Sequence, residues 1–73
     1  MDIETLVQTY KRLSKAHDKQ ISHIDNMYKR LPDIDRLSKD FWIEQIRLQI
    51  AKLDGIDLAR DIVFKAIEQG QYY

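Results

Sequence analysis

The stretch IDRLSKDFWIEQIRLQIAKL, Ile34 to Leu53, places apolar side chains on two opposite faces of a single helix. At about 100° per residue, Trp42, Ile43, Ile46, Ile50 and Leu53 fall on one arc. Ile34, Leu37, Phe41 and Leu48 fall on an arc nearly opposite. A helix that is apolar on both sides needs a neighbour on each. In a chain of 73 residues that requirement governs the architecture.

Toward the N-terminus, Ile3, Leu6, Val7, Tyr10, Leu13, His17, Ile21, Ile24, Met27, Tyr28 and Leu31 repeat as a, d and e of a heptad. No glycine or proline interrupts them, and Pro32 disfavours helical geometry at Leu31. The pattern predicts a first helix over about residues 3–30. Asp33 or Asp35 is placed to cap a second helix over about 34–54, with Ser38 as a later start. The turn between them is short, so the two helices form an antiparallel hairpin.

Toward the C-terminus, Gly55 reads as a helix stop and Asp57 as the cap of a short third helix over about 57–69. Ile56, Ala59, Ile62, Val63, Ala66 and Ile67 share its apolar face. The alternative is a second helix that runs on through Gly55. It costs about 1 kcal/mol for the glycine and shifts the phase of the stripe, so a break is preferred. Gln71, Tyr72 and Tyr73 read as a frayed tail.

Length adds a second constraint. A helix of about 28 residues spans roughly 42 Å, whereas a compact globule of this size has a radius of gyration of only about 11 Å. A small core without cysteine for a disulfide or a thiolate zinc site supplies roughly 3–5 kcal/mol. Oligomerisation or an obligate partner is the remaining device. The expected fold class is therefore all-α: an antiparallel helical hairpin plus a short third helix, assembling as a homodimer into a dimeric helical bundle. The alternative is a groove that another helical protein fills. Leu37, Phe41 and Leu48 are the expected partner face, because the stripe through Trp42, Ile46, Ile50 and Leu53 is the longer match to helix 1. Phe64, outside the apolar face of helix 3, is either an interface anchor or packed against Trp42 or the tail.

His17 stands in the middle of the helix 1 stripe. Read plainly, it is a partly buried histidine bonded to a tyrosine or to Gln20. Read more sharply, it belongs to the partner interface as a register-setting position, where protonation near pH 6 would weaken a symmetric assembly. His23 lies about 120° around the helix from His17, so the two do not chelate one metal.

The carboxylates have local explanations. Asp25 with Lys29 and Asp61 with Lys65 have the favourable i, i+4 order. No phosphate loop, nucleophile elbow or metal motif occurs, and only two glycines are present. These features point to a protein without enzymatic activity, cofactor, metal or small-molecule substrate. No apolar run approaches the roughly 18 residues of a membrane span, which places the expected location in the cytoplasm.

The formal net charge is zero, so only a local patch could attract polyanions. Lys11, Arg12, Lys15, Lys19, Lys29 and Arg30 project from the outer face of helix 1 as a possible anion-binding surface. Acidic residues collect at Asp57, Asp61 and Glu68, where they could attract that face within or between chains. The function expected from these features is protein-protein interaction, as a regulator, adaptor, inhibitor or small chaperone. Nucleic-acid binding through the basic face is the alternative.

Overall fold

The computed structural model describes residues 2–70, and the expected frayed tail at 71–73 lies outside them. Its elements are α1 (Ile3–Arg30), a 3-10 turn (Leu31–Asp33) and α2 (Lys39–Gly70). Among the described residues there is no strand. Asp2 caps α1, its carboxylate Oδ1 accepting from the Thr5 amide at 2.8 Å. In the turn it is Asp35 that accepts from the Ser38 amide, also at 2.8 Å. The second helix therefore begins after Ser38 rather than near Ile34.

The third short helix is not present. α2 runs through Gly55 to Gly70, and Asp57 lies inside it rather than at a cap. The physical reason is the period of the stripe. At 3.6 residues per turn the apolar positions on either side of Gly55 drift out of phase, but at the 3.5-residue period of two packed helices they do not. Trp42, Gln49, Ile56 and Val63 then share one position, and Ile46, Leu53, Arg60 and Ile67 a second. Ile43, Ile50, Asp57 and Phe64 form a third, and all twelve are at least half-buried, Phe64 the least so. Gly55 falls opposite this stripe. Its backbone is not left-handed, and a Cβ added there would meet nothing within 4 Å.

The two helices pack along each other in antiparallel sense. From the turn outward, the Trp42 indole N–H donates to the Met27 carbonyl at 3.0 Å, and the Gln20 amide donates to Gln49 at 2.9 Å. His17 Nε2 lies 2.9 Å from Asp57, and the Tyr10 and Phe64 rings sit 5.8 Å apart. At the far end a Cβ on Gly70 would stand 3.8 Å from Ile3 Cδ1. The result is a rod of 57 × 14 × 13 Å with a radius of gyration of 16.8 Å, well beyond the roughly 11 Å of a compact chain this long. The buried apolar residues among those described are Ile24, Met27 and Ile46, and none of the three is completely shielded.

Candidate functional site

The feature with most capacity to bind is the outer face of α2, turned away from α1. Phe41, Leu48, Gly55 and Ile62 recur there every seventh residue, so a 3.5-residue period stacks them in one line. Ala51 and Leu58 fill the adjoining line. Phe41, Leu48, Leu58 and Ile62 are all more than half exposed. Leu37, in the turn just before α2, is 96 % exposed. Such a line is costly to leave in water, at about 25 cal/mol for each Å² of apolar surface.

Of the residues singled out in the sequence, Leu37, Phe41 and Leu48 thus lie along one edge of the rod, while Phe64 and His17 lie elsewhere. Phe64 packs in a tilted arrangement on Tyr10 rather than on Trp42, and keeps 44 % of its surface exposed. His17 points into the seam between the helices, with its side chain 15 % exposed. Its neighbours are carboxylates, Asp57 at 2.9 Å and Asp18 at 3.6 Å, not a tyrosine or Gln20. Its Nδ1 is buried without a hydrogen-bond partner. Gln20 is bonded instead to both the backbone and side-chain oxygens of Gln49.

Sequence reasoning passed over Leu58 and assigned Ile62 to the inner face of a separate helix. The signal that finds Ile62 is the seven-residue spacing carried from Phe41 across Gly55, and Leu58 follows from the same spacing carried from Ala51. The Gln20–Gln49 pairing escaped because a glutamine in a d position carries no apolar signature.

The basic residues Lys11, Arg12, Lys15, Lys19, Lys29 and Arg30 are all exposed along α1. Lys29 is held by Asp25 at 2.9 Å. Among the described residues, Lys11, Arg12, Lys15 and Lys19 form no ion pair. The acidic residues of α2 do not reach across to them. Asp57 takes His17 and Arg60, and Asp61 takes Lys65 at 3.1 Å.

Two recesses open between the helices. One, of about 210 Å³, is lined by Tyr10, Asp57, Arg60, Asp61 and Phe64. The other, of about 370 Å³, is lined by His23, Asn26, Met27, Arg30, Trp42 and Gln45. Neither lining sets a nucleophile beside a base. Among the described residues no group of three or more His, Cys, Asp or Glu is placed to hold a metal ion. No helix among them is long and apolar enough to cross a membrane. Comparison with protein-family models, with curated proteins and with solved structures yields no match to this chain.

Proposed function

We propose that this chain is a small non-enzymatic protein of the cytoplasm that acts by protein-protein interaction, as a homodimer built along the outer face of α2. Regulator, adaptor, inhibitor and small chaperone are the roles that such an assembly serves. The observation that carries the reading is the continuous exposed line of Phe41, Leu48, Leu58 and Ile62. A line of that length exceeds the singly scattered apolar residues of an ordinary monomer surface. A two-helix rod with three buried apolar side chains also gains from covering more of its surface.

The test is mass and helicity measured together in dilute solution. The dimer reading expects twice the 8.8 kDa of the chain at micromolar concentration. Leu48→Glu with Ile62→Glu should halve that mass, because two charges in a seam prevent its desolvation. A well-folded wild-type monomer at the same concentration overturns the reading.

A second reading is favoured by the unpaired cations of α1. Lys11, Arg12, Lys15 and Lys19 are exposed along α1 and form no ion pair among the described residues. Although Asp18 lies beside Lys15 and Lys19, the excess of positive charge suits phosphates. Retention on RNA or DNA that falls steeply with salt, and that is abolished by charge reversal at Arg12, Lys15 and Lys19, would establish it. Loss of protein association in the same variant would argue that these residues serve the first role instead.

A further inference from the structure

We infer that the occupant of this face is α2 of a second copy, lying antiparallel, with the two-fold axis at the level of Gln49 and Ile50. The inference rests on the interaction role above and adds the direction and register of the partner.

The first argument is self-complementarity. The seam alternates between the line of Phe41, Leu48, Gly55 and Ile62 and the line of Glu44, Ala51, Leu58 and Lys65. In an antiparallel pair, a residue of one line packs against the other line of the partner. At the stated level Phe41 meets the partner's Leu58, Leu48 meets the partner's Ala51, and Ile62 meets the partner's Leu37. Each contact occurs twice by symmetry, so every exposed apolar residue of the face is covered by another. A foreign helix would have no need of this reciprocity.

Charge selects the direction. The antiparallel pairing brings Arg47 beside the partner's Asp54. Asp54 has no ion-pair partner among the described residues, and Arg47 has only Glu44 at a loose 3.7 Å. Glu44 falls opposite the partner's Gly55, where no side chain competes for space, and Lys65 lies beyond the start of the partner's α2. The one like-charge approach is Asp40 to the partner's Asp61, whose charge is already offset by Lys65. A parallel pairing in register would instead stack Glu44 on the partner's Glu44 and Lys65 on the partner's Lys65. It would also bring Arg47 beside the partner's Lys52. Like charges at such close quarters are what specific interfaces avoid.

Area is sufficient as well. In this register the copies overlap from Leu37 to Ile62, about 39 Å at 1.5 Å per residue. Over the rod's 14 Å width that is about 550 Å² per partner before surface relief is counted, at the lower end of specific interfaces.

The chain has no cysteine, so single thiols can be introduced without interference. Phe41→Cys and Leu58→Cys chains, each checked for native helicity, would be treated with a short thiol cross-linker alone and as a mixture. The expected result is a covalent dimer in the mixture and little from Phe41→Cys alone. Rapid cross-linking of Phe41→Cys to itself means a parallel pair and overturns the inference, while leaving the interaction role intact. No cross-link in the mixture, from a chain that still has the mass of a dimer, places the interface elsewhere and also overturns it. A monomeric wild-type chain overturns both readings. As an independent check, Arg47→Asp should weaken association several-fold, and adding Asp54→Arg should restore it. Failure of the double variant to restore association removes the charge argument for the antiparallel direction.

Discussion

Near the turn, Ile24, Met27 and Ile46 are buried to 8, 8 and 3 % exposure, and the Trp42 indole spans the helices to the Met27 carbonyl. From His17 outward to the ends of the two helices, every described residue stays partly or largely exposed. Both halves use the same heptad, so periodicity does not separate them. Composition does. In the outer half the inner stripe of α2 carries Asp57 and Arg60, and α1 answers with His17. A layer of charged and imidazole groups stays partly wet, because drying it would cost more than the packing returns. The turn half therefore holds the pair together. The outer half adds less, through the half-buried Ile56, Val63 and Ile67 and through the continuity of each helix.

The comparison is easiest to break at Ile46. Ile46→Ala should destabilise the chain by about 2–5 kcal/mol, which is most or all of what a core this small supplies. Val63→Ala, in the outer half, should cost less than half as much. Urea unfolding followed by circular dichroism measures both, and equal losses would mean that the two halves contribute alike.

Trp42→Phe removes the donor to the Met27 carbonyl while keeping an aromatic ring. A loss of about 1 kcal/mol is expected, read from the same unfolding curves. An unchanged midpoint would show that the indole ring, not its N–H, joins the helices.

Gly55 sharpens the comparison from the other side, since helix continuity is part of what holds the outer half. At concentrations where the chain is monomeric, Gly55→Ala should raise stability by about 1 kcal/mol, because the new methyl group meets nothing within 4 Å in its own chain. A destabilised variant would mean that the chain turns at this residue after all, as the stop signal at Gly55 suggests.

The smallest effect belongs to the cap. Bonding to the Thr5 amide, followed by a side-chain bond from Thr5, holds the Asp2 carboxyl below its ordinary range. A depressed carboxyl adds stability that is fully present above its unfolded-state value of about 3.9 and is lost as pH falls through the lower folded value. Helicity at the start of α1 should thus fall slightly below about pH 4, and Asp2→Ala should remove that step. A step that persists in the variant would assign it to another carboxylate.

Some of this was legible in the residues alone. The uninterrupted stripe from Ile3 to Leu31 describes α1 closely, because it acts through neighbouring residues. Pro32, by contrast, does not take Leu31 out of helical geometry: Leu31 keeps φ −54° and ψ −42°, and the chain passes the proline in a 3-10 turn. The two apolar faces of the middle segment, and the placing of Leu37, Phe41 and Leu48 away from α1, are also visible in simple angular spacing. Gly55 was not. A glycine followed by an apolar residue and an aspartate is a valid stop signal, and nothing local contradicts it. Nor could spacing show that His17 meets Asp57 while Gln20 meets Gln49, since each pair joins positions far apart in the chain.

By itself, then, the sequence determined a helical chain, the end of its first helix at the proline and an apolar face on each side of the second. Those are consequences of backbone propensity and side-chain periodicity. Only the tertiary structure decided that α2 continues to Gly70 and that its outer face extends past Leu48 to Leu58 and Ile62. Packing against α1 sets the effective period at 3.5 residues, and at that period the two halves of α2 share one phase. A glycine on the solvent side, worth about 1 kcal/mol, is outweighed by keeping the stripe of Ile56, Val63 and Ile67 against α1.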